Sequence, residues 1–396
     1  MNTNVVIVGA GPYGLSLAAH LRKAGVSHRI FGQPMQSWQE HMPKGMCLKS
    51  DGFASSLYDP DAAFTLEHFC REQGLPYQAS GLPVPLDTFI AYGLEFQRRM
   101  VPALEQTNIA GIVRCEGGFR LTTSAGETLT AKRVVLAVGI THFDYTPPIL
   151  AALPPEAVTH SSAYSDVSVF KGKTVVVVGA GASAVDFAAA LADGGADVRL
   201  VGRRRALAFY MPDHEPRPLR ERVKKPRSGL GLGWKLRFLA DAPFLFFALP
   251  RKLRHRIVQR HLGPVPAWFM REKIESRIPL HLSAHITKVE ARGAKVSVRY
   301  TQPNMPEQEL VADHVIAATG YRASVKSLRF VDAEITGGIK TVEDTPVLNR
   351  AFETSVPGLH MIGLASANNF GPVCRFACGA KFTSRRLSRY LEACHG

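Results

Sequence analysis

Two short stretches of this 396-residue chain have the residue types and spacing to hold phosphates: GAGPYG, with Gly9, Gly11, Pro12 and Gly14, and GAGASA, with Gly179, Gly181, Ser183 and Ala184. In a G-x-G-x-x-G turn the first glycine permits a tight reversal, the second lets a pyrophosphate approach the backbone, and the third lets a helix close on the preceding strand. The helix that follows turns free N–H groups and the positive end of its dipole on the phosphates. Ala184 at the third position of the second copy is tolerated, because its role is close packing. A third stretch, VRLVGRRR, ends the second unit with Arg203, Arg204 and Arg205 and no acid. An acid there would accept hydrogen bonds from ribose hydroxyls and repel a 2′-phosphate, whereas guanidinium groups pair with that phosphate. The second turn is therefore expected to prefer NADPH to NADH. In the first unit the matching position, within SHRIFGQP, is Gly32; Gln33, Gln36 and Ser37 follow as neutral groups for the ribose hydroxyls.

Such turns work only between a buried strand and a helix, and both copies have them. NVVIVGAGPYGLSLAAHLRKAG reads as a strand over Val5–Val8 and a helix with Leu15, Ala18, Ala19 and Leu21 at helical spacing. KTVVVVGAGASAVDFAAALADGGADVRLVGRRR repeats that order 170 positions later. Each unit leads, after an insertion, to hairpin-like alternation and a closing apolar strand that ends in glycine, GGFRLTTSAGETLTAKRVVLAVG and AKVSVRYTQPNMPEQELVADHVIAATG. The fold class is α/β, with two Rossmann-like dinucleotide-binding domains and a helical insertion in the second. The proline-rich stretch 141–155 reads as the crossing between them. The tail after Gly320 has no counterpart in the second unit and is expected to return to the first. Residues 1–145 and 315–396 then form one discontinuous domain, and residues 146–314 the other, with the insertion at about 205–280.

Hydrophobic residues make up 46% of the chain, enough for a large core. No apolar run approaches the roughly 18 residues of a membrane span, and the first residues enter a strand at once, so a cytoplasmic protein is expected. Six cysteines show neither a CxxC pair nor metal-ligand spacing, and no metal site is expected. Cys374 and Cys378, four apart, read as core thiols rather than a redox pair. The net charge of +15 fits nucleic acid, an anionic membrane or anionic small molecules without choosing among them. It is uneven: Glu215 to Arg277 holds 16 Lys or Arg against 5 Asp or Glu. This segment, GLGLGWKLRFLADAPFLFFALPRKLRHRIVQRHLGPVPAWFM at its centre, has three readings: a packed insertion with a solvated basic face, a substrate wall or lid, and an interfacial contact with a membrane surface. His214, in MPDHEPRP, reads as a structural loop histidine.

On these motifs the chain resembles the two-domain flavoproteins, and among them the class B flavin-dependent monooxygenases, which include flavin-containing, N-hydroxylating and Baeyer–Villiger types. The resemblance covers nearly the whole chain. It runs through GAGPYG, VVLAVG ending at Gly139 with its following TPP, GAGAS, and DHVIAATGY with Thr319, Gly320 and Tyr321. The last is similar to the D-x3-[LF]-ATGY signature of N-hydroxylating enzymes, with Ala317 replacing Leu or Phe. His160 and Tyr164 match part of the Baeyer–Villiger motif, but Pro154 and Glu156 stand where it has Phe and Gly. WQEHMPKGMCLKSDGFASSLYDPDAAFTLEHF is similar to the Trp-led segment of N-hydroxylating enzymes, which implies that Trp38, Met46 and Ser50 lie around the cofactor. The same similarity implies that Lys49 and Asp51 sit beside the isoalloxazine as catalytic groups. In related flavoproteins the turn corresponding to Asn369, Phe370 and Gly371 meets the flavin, although Leu364 follows Gly363 where an Asp is common.

The resemblance implies FAD in the first cradle and NADPH in the second. It implies a monooxygenase that inserts one atom of molecular oxygen into a small organic substrate through a C4a-(hydro)peroxyflavin. The flavin would carry the hard chemistry, which accounts for the lack of a Ser/His/Asp or paired-carboxylate constellation. The expected substrate is apolar or anionic, and nucleic acid is not expected as a partner. Two rivals stay open: an NADPH-dependent flavin reductase without oxygen insertion, and a non-catalytic flavin-binding peripheral membrane protein.

Overall fold

The computed structural model describes residues 2–211, 217–261 and 265–395; His214 lies outside them. The run Val5–Val8 is the buried end of β1 (Asn2–Val8), paired in parallel with β2 (His28–Phe31) on one side and β5 (Thr128–Leu136) on the other. A parallel strand without polar alternation must be covered on both faces. Helix α1 (Pro12–Lys23) supplies one cover with Leu15, Leu17, Ala18 and Leu21, and the last helix, Gly379–Ala393, packs beside it. The hairpin β3 (Ile109–Cys115) and β4 (Gly118–Thr123) extends the sheet antiparallel to β5. The short strand Leu359–Met361 then runs parallel to β5, with Leu359 opposite Val134. The tail thus returns to the first sheet.

The second sheet is wholly parallel, in the order Leu280–His281, β8 (Asp197–Val201), β7 (Thr174–Val178), His314–Ala317, β6 (Val158–His160). His314–Ala317 is buried and paired on both sides, with Val315 opposite Val176 and Val158. The changeover expected at 314/315 therefore falls later, after Ala317, because this apolar strand completes the second sheet before the chain leaves it. A three-stranded antiparallel sheet (His285–Arg292, Lys295–Thr301, Gln308–Ala312) caps this domain.

The insertion leaves β8 as short helices: Leu219–Lys224, Trp234–Asp241, Pro243–Ala248, Arg251–Arg260 and Met270–Glu275. Its end packs on its own domain through Met270, Ile274 and Ile278. Its middle joins the core of the other domain through Leu239, Phe246 and Val258. The insertion is thus a bracket across both domains. No helix among the described residues is long and apolar enough to cross a membrane.

Candidate active site

Each glycine turn is built by close backbone approach, and the first glycine of each copy makes the same contacts. Gly9 N donates to Phe31 O at 2.8 Å and Gly179 N to Val201 O at 2.9 Å. A Cβ on Gly9 would lie 2.5 Å from Ala137 O, and one on Gly179 would lie 2.4 Å from Ala318 O. Gly14 could carry no side chain either, since its Cβ would meet Gly9 O at 1.9 Å. Gly11 and Gly181 differ: each is the N-cap of its helix with extended backbone, no side chain caps the helix, and the space beside each is open. The free N–H groups and the room in front of them fit a pyrophosphate at both turns.

Gly32 is also explained by packing. Its φ of +133° suits only glycine, and a Cβ there would lie 3.2 Å from Ala10 N. The end of β2 presses on the turn itself, which leaves no place for an acid. Gln33 Nε2 donates to Gln106 O at 2.6 Å, Gln36 Nε2 to Glu40 Oε2 at 2.8 Å, and Ser37 Oγ lies 2.7 Å from Thr141 Oγ1. These groups already have protein partners at the nucleotide edge. Gly202 repeats the contact, with its Cβ position 2.9 Å from Ala180 Cβ. Arg203, Arg204 and Arg205 beyond it are exposed, and among the described residues none of their side chains has an ion pair or hydrogen bond. Three unpaired guanidinium groups at this edge suit a 2′-phosphate.

Between the cradles runs a seam. The outgoing and returning chains pair there: Tyr145 N donates to Gly320 O at 3.0 Å, Arg322 N to Phe143 O at 2.7 Å, and Thr319 Oγ1 to Tyr145 O. His160 Nε2 reaches Gly320 O at 3.1 Å, and its ring meets Tyr321 edge-on at 5.2 Å. Burial holds His160 below the usual imidazole range and pushes the Tyr321 phenol up to about 12. Thr319, Gly320 and Tyr321 thus build the hinge. Gly139, at φ +61° with open space beside it, is the first turn of the outgoing chain.

The loop from His41 to Asp51 straps the first domain to the second along this seam. His41 Nδ1 lies 2.8 Å from Ser162 O, Lys44 N donates to Ser165 O at 3.0 Å, and Lys44 pairs with Asp166 at 2.9 Å. Lys49 Nζ pairs with Asp186 Oδ1 at 2.7 Å, both side chains being only 7% exposed, and also donates to Cys47 O at 2.8 Å. Tyr210 OH donates to Asp51 Oδ2 at 2.8 Å. Burial pushes the Asp186 carboxyl above the usual carboxylate range, against the pull of Lys49. Lys49 and Asp51, expected as catalytic groups, are committed instead to partners across the seam. Trp38 packs edge-on against Phe89 at 4.7 Å; Met46 O accepts from Leu86 N at 2.9 Å, and Ser50 O accepts from Ser55 Oγ at 3.4 Å.

The tail residues expected at the flavin pack inward. Asn369 is buried, with Oδ1 accepting from Leu348 N at 3.1 Å and Nδ2 donating to Pro346 O at 3.0 Å. Phe370 is fully buried between Phe247 and Phe352, and a Cβ on Gly371 would meet the Phe246 ring at 3.3 Å. These residues anchor the insertion. The residue that does reach the seam from this tail is Arg375, whose Nη2 lies 3.5 Å from Tyr321 O, while Tyr13 OH in the first cradle donates to Phe376 O at 2.9 Å. Burial pushes the Arg375 guanidinium down to about 10, and no ion pair neutralises it among the described residues. Burial also pushes the Cys374 and Cys378 thiols up to about 12, which keeps them protonated and unsuited to thiolate chemistry. Asp186 had a signal in the sequence: it is the one acid inside the apolar run AVDFAAAL.

Gly11→Ala should leave the thermal unfolding of the apoprotein within about 0.5 kcal/mol of the parent yet weaken FAD retention at least about tenfold. Gly14→Ala should instead unfold the domain. Lys49→Met leaves Asp186 buried without a counter-ion and should cost about 3–5 kcal/mol at neutral pH in denaturant titrations. An acid whose folded pKa is raised destabilises above its unfolded pKa, and the penalty fades as pH falls through the folded value. The Lys49→Met deficit should therefore shrink on acidification, and Lys49→Met with Asp186→Leu should recover most of it.

Comparison with known proteins agrees with this architecture. The family described as pyridine nucleotide-disulphide oxidoreductase matches residues 6–218. The ferredoxin–NADP reductase of Thermus thermophilus is 29% identical over 209 residues, 51% of this chain and 54% of that protein. The chain thus spans about half the length of the ferredoxin–NADP reductases it matches. The FAD-dependent urate hydroxylase of Xanthomonas campestris is 27% identical over 340 residues, 80% of this chain and 65% of that protein. Among solved structures, the Kutzneria sp. 744 ornithine N-hydroxylase shares the fold over 100% of both chains, with a TM-score of 0.77 at 16% identity. The expected likeness to N-hydroxylating monooxygenases therefore holds for the fold. Because the matched stretch runs from the first cradle through the seam and the second cradle, over more than half of its length, the chain belongs to the pyridine nucleotide-disulphide oxidoreductase family.

Proposed function

We propose that the protein is an FAD- and NADPH-dependent monooxygenase that places one oxygen atom from O2 on a small anionic or apolar substrate. The observation that carries this reading is a pair of open helix N-termini, at Gly11 and Gly181, set at the two sides of one strapped seam. Gly9, Gly11 and the start of α1 would hold the FAD pyrophosphate. Gly181, Ser183 and the start of the helix Ala182–Asp193 would hold that of NADPH, with Arg203 and Arg204 at its 2′-phosphate. Bound FAD supplies the two-electron chemistry and the activation of oxygen.

The chain itself binds, orients and excludes water. The strap and hinge hold the two cradles in one relation, which would keep a nucleotide held in the second oriented toward a flavin held in the first. Lys49 acts there through Asp186, and Asp51 through Tyr210, as positioning residues. Arg375 stays protonated at neutral pH and gives the seam a fixed positive charge for an anionic group. The likeness to a urate hydroxylase over most of the chain supports the anionic substrate class. The likeness to ferredoxin–NADP reductases favours a second reading, electron transfer without oxygen insertion.

The two readings separate when NADPH consumption is compared with hydrogen peroxide release across anionic heteroaromatic and apolar substrates. A true substrate should lower the peroxide released per NADPH and yield a product with one oxygen atom from labelled gas. If every electron goes to peroxide or to a one-electron acceptor whatever is added, the second reading stands instead.

A further inference from the structure

The insertion carries a surface that the cofactor chemistry leaves unused. Leu219, Val223, Trp234 and Leu245 are 73%, 62%, 61% and 63% exposed, while Leu239 and Phe246 of the same helical pair are buried against the first domain. The exposed residues sit on three short helices that touch in succession, and this strip of surface runs along them. Trp234 Nε1 donates to Val223 O at 3.0 Å, and its helix leads directly into Pro243–Ala248. At the far end Phe244 meets Phe382 of the last helix at 5.3 Å, with Arg386 4.8 Å from the centre of its ring.

Cations accompany the part of this strip that carries Leu219, Val223 and Trp234. Arg220, Arg222, Lys224, Lys225 and Lys235 are exposed, and none forms an ion pair among the described residues. Large apolar side chains left this exposed in one place mark a surface that something covers. A second copy of the chain would bring the same positive charge against itself, and an uncharged apolar partner would leave these cations unmatched. An anionic bilayer satisfies both features: Trp and Leu enter the headgroup boundary while Lys and Arg meet the phosphates. Helices this short lie on such a surface and do not cross it.

We infer that the strip from Leu219 to Leu245 docks the protein on an anionic lipid surface. The docking goes beyond the proposed oxygenation and does not depend on it. Co-sedimentation of the FAD-loaded protein with two kinds of vesicle tests it: phosphatidylcholine alone, and an equimolar mixture with phosphatidylglycerol. Binding to the mixed vesicles is expected at low salt, at least about tenfold weaker on phosphatidylcholine alone or at high salt. The double variant Leu219→Ser, Leu245→Ser keeps every charge and changes only exposed side chains; it should retain its FAD content and melting temperature but bind the mixed vesicles at least about tenfold more weakly. Failure of the parent to bind mixed vesicles at low salt overturns the inference. So does equal binding by the variant, which would reduce the effect to charge alone, or a salt-strengthened dimer that the variant abolishes.

Discussion

Everything in this molecule depends on how closely its backbone approaches itself at two turns. At Gly9 and at Gly179 even a methyl group would overlap a carbonyl oxygen at the end of the neighbouring strand. That closeness lets each helix begin directly above the strand ends, with its first N–H groups unclaimed and open space in front of Gly11 and Gly181. The same crowding extends to Gly32 and Gly202, so the strand that would usually present an acid to the ribose instead wedges against the turn. The two sites then diverge only beyond that wedge, toward neutral groups in one and three exposed arginines in the other.

Two such cradles make an oxidoreductase only if they are held in one relation. The strap from His41 to Asp51 and the paired hinge chains at residues 143–145 and 319–322 do this with complementary physics. The hinge rests on backbone hydrogen bonds, which tolerate sequence change, with Thr319 and His160 adding side-chain bonds to them. The strap ends in a buried ion pair, which does not: Lys49 and Asp186 each make the other tolerable in a dry interface, and loss of either leaves an uncompensated charge. The insertion adds a third tie, since its middle belongs to the core of the domain it did not come from.

The cradles were legible in the sequence because their signal is local. Six residues and a flanking apolar run specify a turn, and a repeat 170 positions away doubles the inference. The return of the tail to the first sheet was legible for a related reason, as it had no counterpart in the second unit. What lies across the seam was not legible, because nothing in a linear pattern says that Lys49 will meet Asp186 or that Asp51 will meet Tyr210. Family likeness pointed to the right loop but assigned these residues a chemical task that their partners do not leave free. Nor does a linear pattern say that the tail will reach the seam through Arg375 while Asn369, Phe370 and Gly371 face inward and hold the insertion.

The central claim is that two differently tuned cradles face one another in a single fixed arrangement, the first for FAD and the second for NADPH. Anaerobic rapid mixing of the FAD-loaded protein with NADPH or NADH, followed by the bleaching of the flavin absorbance, tests it without regard to substrate or oxygen. The account predicts prompt bleaching by NADPH and reaction with NADH at least about tenfold less efficient, with the gap closing when Arg203 and Arg204 are replaced by alanine. A flavin that neither nucleotide reduces, or one that NADH reduces as well as NADPH in the parent protein, would contradict it.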